Sequence, residues 1–414
     1  ELGGGRFAQG VAALAALFAP IFLGMDRFYS MNAFDLLLWS WGTYLVLRAL
    51  ENGRPRAWLW LGVVVGLGLL NKISMLWFVG GLGAALLLTR YRRALLSPWP
   101  WLAVAVAAFL FHPYVVWQIH NGWPTLEFMR NATNLKMTQH SPAEFLKGQL
   151  LGLNVGSAPI WIAGLLFGLF SRESGRGRIL SWMYLSVLVL LMVQGTSRAS
   201  YLAPAYCGLF AMGAVAIERA SAEGRRTWLR PATAVLTVAF GIVALPMALP
   251  LLPVGTFVRY QAALGMSPRT DERQQMGVLP QGYADMFGWE ELTALVAKAY
   301  ARLSPEERAH CRVFGQNYGE AGAIDVLGRR LGLPHAISGH NSYWYWGPGP
   351  GDWDVLIIIG GDRQDNAQFF EQIEIVGQTD SPWSMPYERG LDVSIARHPK
   401  LTLKEAWPKV RMLI

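Results

Sequence analysis

Charged residues are scarce in this 414-residue chain, at 15% of the sequence, whereas hydrophobic residues make up 53%. Soluble domains carry about 25% charged residues, so this balance excludes an ordinary soluble enzyme and predicts an integral membrane protein. Cysteine is nearly absent: Cys207 falls within an apolar segment and Cys311 in the polar C-terminal part. A disulfide between them is not expected, and cysteine usage gives no information on the redox compartment.

Several motifs are also lacking. His112 and His120 lie eight residues apart with a proline between them, which is not a metal-binding spacing, so we expect no divalent metal. The glycine-rich turn at 315–322 is typical of anion binding at a helix N-terminus, but it is not a dinucleotide fingerprint, and we expect no resident cofactor. Glu1 starts a loop without the charged region and cleavage site of a signal peptide, so we expect a piece of a longer protein.

The net charge is +8, and most of the cations lie in short connectors between apolar stretches. These basic connectors contain Arg54 and Arg56; Arg90, Arg92 and Arg93; Arg172, Arg176 and Arg178; and Arg225, Arg226 and Arg230. They alternate with connectors that are richer in His, Asn, Trp and Tyr. Because short cytoplasmic loops collect Lys and Arg, the basic connectors are predicted to lie inside and the others outside. Topology accounts for the positive charge, so nucleic acid is not an expected partner.

The apolar stretches predict a polytopic α-helical membrane protein with about nine spans, each near the ~17–25 residues that a bilayer requires. The predicted spans are 9–24, 33–50, 57–71, 73–89, 99–119, 148–169, 179–196, 199–217 and 231–253. The two spans around Lys72 are short and predict a tight hairpin with its tip at the outer interface. We expect a multi-pass protein of the inner (cytoplasmic) membrane, with the lipid bilayer as its first partner.

The composition changes near residue 254, which divides the chain into a membrane domain at 1–253 and a small soluble α/β domain at 254–414. The odd number of spans places this second domain outside. Strands are predicted at 312–314, 354–360 and 374–377, and helical segments at 290–302, 321–331 and 364–373. Strands that alternate with helices favour a mostly parallel sheet covered on both faces.

The polar residues that could carry chemistry lie in the predicted outer connectors. Asp26 and Arg27 precede Asn32 and Asp35, which are three residues apart and share one face of a helix. A carboxylate at membrane depth is costly unless it faces a cavity or a partner, so Asn32 and Asp35 are catalytic candidates. The alternative is a plain helix N-terminus, capped by Asn32 and with Asp35 favoured by the dipole.

Two cations in these connectors are candidate phosphate ligands. Lys72 offers a point charge and Arg198 a fork that matches phosphate oxygens, with Tyr201 nearby. Simple extension of the side chains towards the lipid headgroups is the alternative for both cations.

Further candidates for substrate binding lie in two polar and aromatic clusters. An aromatic belt at the interface explains the Tyr and Trp residues of 112–131, but it does not explain His112, His120, Asn121 and Glu127. In the C-terminal domain, 338–347 combines rings with hydrogen-bonding groups, including His340, Asn341 and Trp344. Such a combination suits carbohydrate, and structural aromatics are an equal alternative.

Residues 1–204 resemble a known family through several short motifs. The motifs are Ser-Met-Asn-Ala-Phe-Asp-Leu-Leu-Leu-Trp at 30–39, Gly-Leu-Gly-Leu-Leu-Asn-Lys at 66–72, Ser-Pro-Trp-Pro-Trp at 97–101, His-Pro-Tyr-Val-Val-Trp-Gln at 112–118 and Asn-Gly at 121–122. They are similar to motifs of bacterial relatives of the protein O-mannosyltransferases and the aminoarabinose lipid A transferase. These are glycosyltransferases of the GT-C fold that depend on polyprenyl-phosphate sugars.

The resemblance implies roles for individual residues. Lys72 matches the lysine that faces the lipid phosphate, and Asn32 stands where the family usually has Asp, with Asp35 one turn further. Either of the two could inherit that role. The family's presumed catalytic Asp or Glu lies in the first outer loop, after a first membrane helix, and the resemblance implies that this chain begins after both.

The function expected from the resemblance is transfer of a sugar from a polyprenyl-phosphate carrier to a lipid, glycan or protein acceptor at the outer face of the membrane. Two other classes remain open. A transporter or flippase of lipid-linked glycans predicts polar residues through the membrane centre, whereas the polar residues of this chain are confined to predicted outer ends. A catalytically silent, membrane-anchored carbohydrate-binding protein is the second alternative.

Overall fold

The computed structural model describes residues 1–51, 54–222 and 226–414. Arg225, predicted in a basic connector, lies outside these ranges. The chain forms two compact units: Glu1–Gly122 with Gln139–Phe257, and Trp123–Thr138 with Val258–Ile414. The second unit thus includes a segment from the predicted outer connector 112–147 in addition to the C-terminal residues. The proposed boundary at 253/254 lies within a few residues of the break at 257/258.

The first unit is helical. Its first helices are α1 Arg6–Leu17, α2 Pro20–Asp26, α3 Met31–Ala49, α4 Arg56–Asn71, α5 Met75–Leu88 and α6 Pro98–His120. Helix α7, Pro124–Asn131, belongs to the second unit. The first unit continues with α8 Pro142–Gly152, α9 Ala158–Phe170, α10 Arg178–Gln194, α11 Tyr206–Ala220 and α12 Leu229–Ala248. Helix α13, Val254–Ala263, runs across the break between the units. Ser30 caps α3 by accepting a hydrogen bond from the Asn32 amide.

Three described helices are long and apolar enough to cross a bilayer: Pro98–His120, Arg172–Gln194 and Leu229–Ala248. The number rises to five if each of two bent pairs is one span. The pairs are Arg6–Leu17 with Pro20–Asp26, bent by 63°, and Pro142–Gly152 with Val155–Phe170, bent by 92°. Helices α4 and α5 are apolar but shorter. The count of about nine spans stays a prediction.

The second bend falls inside the span predicted at 148–169, so the helix is broken near the start of that segment, and the span itself stays a prediction. Asn154 has a positive φ of 74°, and its side chain accepts a hydrogen bond from the Gly156 amide at 2.9 Å. Its amide also donates to the carbonyl of Thr237 at 2.8 Å. These bonds compensate the backbone groups that are released where the helix breaks.

Close packing of the first unit depends on glycine. A Cβ at Gly62 would lie 2.5 Å from the Ala103 carbonyl oxygen, and one at Gly66 would lie 2.8 Å from the Leu110 side chain. Helices α4 and α6 therefore approach each other at positions where only glycine fits, as the spacing of these small residues predicts.

The second unit contains a five-stranded sheet in the order β2-β1-β3-β5-β4. Its strands are β1 Cys311–Gly315, β2 Ala336–Ile337, β3 Val355–Ile359, β4 Phe370–Gln378 and β5 Asp392–Pro399. Strand β1 pairs in parallel with β2 and β3, whereas β5 pairs antiparallel with β3 and β4. The sheet is mixed: β2, β1, β3 and β4 share one direction, and β5 runs opposite to them, because a loop without a crossover helix joins it to β4.

Helices and buried side chains cover both faces of this sheet, as predicted. The remaining helices are α14 Gln281–Ala284, α15 Trp289–Ala301, α16 Pro305–His310, α17 Tyr318–Leu327, α18 Ser342–Trp346, α19 Arg363–Phe369 and α20 Leu403–Ala406. One core contains Leu292, Val296 and Ile357, and the other contains Leu356 and Phe370. Alternate residues of β3 point to opposite cores.

Candidate functional site

Three segments of the first unit meet beside the N-terminal end of α3. The turn between α4 and α5 reaches α3 through Asn71, whose side-chain amide donates to the Met31 carbonyl at 2.8 Å. Lys72 Nζ donates to Asn32 Oδ1 at 2.9 Å. Lys72 lies in a short turn between the two helices, and its side chain bonds to a residue that was predicted to be catalytic.

Asp35 is the buried member of this group, with only 2% of its surface exposed. Its Oδ2 lies 3.4 Å from Lys72 Nζ and accepts a hydrogen bond from Ser74 Oγ at 3.2 Å. A buried charge that loses its partner costs about 3–5 kcal/mol, so each ion of this pair stabilises the other. The geometry favours a positioning role for Asp35, because its carboxylate is engaged in holding the ammonium.

The local sequence explains why Lys72 and Ser74 both face Asp35. Helix α4 ends at Asn71 and α5 begins at Met75, and Lys72 is extended between them with φ −156°. A Cβ at Gly68 would lie 2.8 Å from Met75 Cγ, so the glycine allows the two helices to meet closely. The turn is therefore too short to swing Lys72 away from α3.

Tyr201 lies on the other side of the ammonium. Lys72 Nζ is 5.3 Å from the centre of its ring, within the range of a cation–π interaction. The Tyr201 ring also packs on Trp77, with centres 5.4 Å apart. Gln149 supports this turn by donating to the Ala199 carbonyl at 3.0 Å. We define the Lys72 site as Asn32, Asp35, Lys72, Ser74 and Tyr201.

Arg198 directly precedes the short helix Ala199–Tyr201, and electrostatic repulsion from its guanidinium acts on the Lys72 ammonium. Two cations that repel each other are both stabilised when an anion binds between them. The sequence predicted Lys72 and Tyr201 separately, and the fold brings these two side chains together, while the charge of Arg198 acts on Lys72. Sequence analysis did not single out Ser74, because a hydroxyl two residues after a lysine is a weak signal.

Among the other candidates of the first unit, Arg27, His112 and Asn121 have hydrogen-bond partners, whereas Asp26 and His120 are exposed. Arg27 donates to the Ala248 carbonyl at 3.0 Å and lies over the Phe28 ring. In α6, His112 Nδ1 lies 2.6 Å from the Phe109 carbonyl, and Asn121 donates to the Trp117 carbonyl at 2.8 Å. The role of these candidates in substrate binding stays a prediction.

In the second unit, Glu127, His340, Asn341 and Trp344 come together around the end of the described chain. Both terminal nitrogens of the Arg411 guanidinium, Nη1 and Nη2, donate to Glu127 at 2.8 Å, and the guanidinium lies 5.2 Å from the centre of the Trp344 ring. His340 Nε2 and Asn341 Nδ2 lie 3.0 and 2.9 Å from the Ile414 carbonyl oxygen. We call these residues the C-terminal clasp.

The clasp gives structural partners to four residues that were predicted to bind substrate. Sequence reasoning missed Arg411, because a single arginine 284 positions after its glutamate carries no local signal.

A carboxyl pair in the second unit, buried Glu320 and half-buried Glu388, was also missed. The Asn317 side-chain amide donates to Glu320 Oε1 at 2.9 Å and to Glu388 Oε1 at 3.3 Å. Burial, reinforced by the charge of Glu388, raises the pKa of Glu320 to about 8. Burial also raises the pKa of Glu388 to about 7, against the lowering effect of the Asn317 hydrogen bond. One of these carboxyls can therefore hold a proton near neutral pH.

An apolar cavity of about 500 Å³ in the first unit lies away from the Lys72 site. Ser40, Tyr44 and Leu47 line it, and they belong to the later turns of α3, beyond Asp35. Among the described residues, no cluster of three or more His, Cys, Asp and Glu side chains could hold a metal ion.

Residues 5–117 match the family model described as dolichyl-phosphate-mannose-protein mannosyltransferase. This range includes Asn32, Asp35, Lys72 and Ser74. The fold is similar to that of ArnT from Cupriavidus metallidurans, in crystal structures bound to undecaprenyl phosphate and in the apo state. The TM-score is 0.53 for both, at 14% identity, and the alignments cover 94% of this chain and 78% and 80% of ArnT. No curated protein matches the chain.

The comparisons confirm the predicted resemblance. The structural match extends through the second unit, whereas the sequence motifs cover only residues 1–204. A helical membrane protein of the GT-C type is the fold that both comparisons support, and they do not favour the transporter or the silent anchor.

Proposed function

We propose that this protein is a membrane glycosyltransferase that transfers a sugar from a polyprenyl-phosphate carrier to an acceptor at the outer face of the inner membrane. The observation that carries the proposal is the Lys72 ammonium, held between Asn32 and Asp35 in the region that matches the mannosyltransferase model. The bound undecaprenyl phosphate of the ArnT structure supports a lipid phosphate as the carrier.

In the proposed reaction, an acceptor hydroxyl attacks the anomeric carbon and a new C–O bond forms. The bond from that carbon to the phosphate oxygen breaks, and its electron pair leaves with the phosphate. Lys72 and Arg198 stabilise the charge that develops on the departing phosphate, which is where preorganised cations have their largest effect. A general base takes the hydroxyl proton, and we assign that base to none of the described residues.

Asn32 and Asp35 act through Lys72 in this proposal. Lys72 can donate three hydrogen bonds, of which Asn32 and Asp35 accept two, so one donor is left for phosphate. Ser74 restrains the carboxylate in turn. A lysine that is ordered before the substrate binds loses less conformational entropy when the phosphate arrives.

The remaining candidates extend the proposal to the acceptor and the sugar. Asp26, Arg27, His112, His120 and Asn121 lie in the predicted outer connectors, where they could contact either substrate. The acceptor is a lipid, a glycan or a protein. About nine spans and an outer second unit complete the proposed topology.

The test is sugar transfer from a polyprenyl-phosphate donor by the purified full chain in detergent. We expect Lys72→Ala to lower the rate at least about 100-fold, the range seen when one charge-stabilising donor is removed. Lys147→Ala is the matched control, because Lys147 is an exposed lysine of the same unit. Normal transfer by Lys72→Ala would overturn the proposed phosphate role.

A further inference from the structure

A cavity of about 190 Å³ lies in the second unit, on one face of the sheet. Its floor is apolar and consists of Phe314 from β1 and Leu356 and Ile358 from β3. Its mouth lies where these two parallel strands end. The volume is below the ~300–1,000 Å³ of pockets for drug-sized ligands, so the cavity fits one small ring rather than a lipid chain or a nucleotide.

The position of the cavity follows from the topology of the sheet. From β1 the chain passes through α17 to β2 on one side, and from β3 it passes through α19 to β4 on the other side. In open α/β sheets, the carboxyl ends of two strands whose connections diverge form a crevice, and ligands bind there. The sheet of the second unit is mixed, but β1 and β3 are parallel neighbours and meet this condition.

Glycine keeps the mouth of the crevice open. Gly360 and Gly361 follow β3 directly and both have positive φ, 66° and 80°. A Cβ at Gly361 would lie 2.5 Å from the Gln316 side-chain nitrogen, so a larger residue would push Gln316 aside. The backbone thus turns away sharply and leaves room beside the Gln316 amide.

The rim carries hydrogen-bonding groups that the fold holds in place. Asp362 caps α19 through bonds from the Gln364 and Asp365 amides at 2.7 and 3.3 Å. Asn366 donates to the Gly360 carbonyl at 3.3 Å. Together with Gln316, the rim offers carboxylate acceptors and amide groups that both donate and accept.

This combination of groups matches one class of ligand. A pyranose ring has apolar C–H faces that pack on aromatic and aliphatic walls, here including Phe369, and hydroxyls that donate to carboxylates and accept from amides. Two carboxylates on the rim, Asp362 and Asp365, disfavour an anionic ligand through like-charge repulsion. Phosphate, sulfate and nucleotides are therefore poor candidates.

We propose that this crevice binds a single neutral pyranose unit of a glycan. The lining of the crevice does not include the polar and aromatic segment at 338–347, of which His340, Asn341 and Trp344 belong to the C-terminal clasp. The proposed binding of the sugar is independent of the proposed glycosyltransferase function. A role of the crevice in selecting a glycan acceptor rests on that function.

The test is saturation-transfer NMR of the full chain in detergent with methyl glycosides of glucose, galactose and mannose as probes. We expect at least one probe to bind in the millimolar range. Asp365→Ala and Asn366→Ala should each weaken that binding at least tenfold, whereas Asp380→Ala, a matched exposed aspartate outside the cavity, should leave it unchanged. Asp365 is exposed, so its variant is expected to fold even if Asn366→Ala does not.

Three outcomes would overturn the proposal. The first is the absence of an NMR binding signal for every probe at 10 mM, roughly the upper limit of weak specific binding. The second is equal binding of the probe by Asp365→Ala, and the third is binding of calcium chloride without binding of any sugar. The Lys72→Ala variant separates the two proposals, since it should bind the probe normally while losing sugar transfer. If the crevice binds no probe while the protein still transfers sugar from the lipid carrier, the crevice proposal is wrong and the proposed function stands.

Discussion

Two ion pairs of this protein, Lys72–Asp35 and Arg411–Glu127, differ in their exposure to solvent and in the number of bonds that join the partners. The difference distinguishes a pair that is proposed to bind substrate from one that stabilises the fold. Lys72 meets Asp35 through one contact of 3.4 Å, and the two side chains are shielded from solvent, with 14% and 4% exposed. Arg411 meets Glu127 through two bonds of 2.8 Å, with 27% and 39% exposed. The arginine fork is matched to its carboxylate and holds two distant parts of the chain together, whereas the lysine keeps a donor for an anion.

The largest effect should come from breaking the Lys72–Asp35 pair. Asp35→Ala leaves the Lys72 ammonium shielded from solvent without its carboxylate, which we expect to lower the free energy of unfolding by about 3–5 kcal/mol. The measurement is the thermal unfolding midpoint in detergent. Asp26→Ala, which removes an exposed carboxylate from the preceding helix, should change the midpoint little. Equal midpoints for the two variants would contradict the importance of the pair.

The next effect concerns the neutral partner of Lys72. Asn32→Ala removes a hydrogen bond to a charged group, worth about 1.5–3 kcal/mol, so we expect sugar transfer to fall about 10- to 100-fold. Because Asn32 positions the phosphate ligand, the KM for the lipid donor should rise. Asn134→Ala is the control, since Asn134 is an exposed asparagine of the second unit and is not a site candidate. Unchanged kinetics for Asn32→Ala would show that Asp35 alone orients Lys72.

The carboxyl pair of the second unit predicts a pH dependence there. Glu320 and Glu388 have pKa values raised to about 8 and about 7, above the value of 4.5 in the unfolded chain. The folded state therefore binds more protons, and stability that is complete below pH 4.5 is lost as the pH rises through 7 and 8. A loss of at least about 1.4 kcal/mol, the value of one pKa unit, is expected.

The measurement is the unfolding midpoint between pH 5 and pH 9, a range of about two units on each side of neutrality. Glu320→Gln keeps the shape without the charge and should flatten the curve, whereas Glu371→Gln, at an exposed glutamate of β4, should not. A Glu320→Gln curve parallel to that of the unmodified protein would argue against the pair.

The smallest effect is expected at the clasp. Glu127→Ala removes a partly exposed ion pair, and we expect a loss of about 1 kcal/mol because solvent screens such pairs. Sugar transfer should stay near normal if Glu127 is structural, and it should fall if Glu127 binds substrate as the sequence predicted. Thermal unfolding and transfer rates of the same preparation distinguish the two roles.

Parts of the site could be predicted from the sequence because they depend on local spacing. Asn32 and Asp35 share a helix face three residues apart, and Lys72 follows a glycine-rich apolar run that ends in a short turn. The contact between Lys72 and these residues joins positions about 40 apart, as does the link from Ser74 to Asp35. No pattern in the sequence indicates that contact apart from the family resemblance.

The prediction of the fold from the sequence was limited in the same way, because patterns along the chain indicate some elements and miss others. Strand β3 is a continuous apolar run and was expected, while β5 was missed because Ser394 and Arg397 interrupt its hydrophobic pattern. The break at Asn154 was missed as well, since its side chain replaces backbone bonds that a sequence pattern assumes to be intact.

By itself, the sequence determined that the chain is a helical membrane protein, which ends of its helices are basic, and which polar residues stand at the other ends. Composition and spacing suffice for this, because bilayer thickness and charge asymmetry act on each segment separately. The tertiary structure decided that Asp35 holds Lys72, that Arg411 holds Glu127, and that a crevice opens between β1 and β3. Each of these depends on residues far apart in the chain, whose pairing is set by packing and by the need to satisfy buried polar groups.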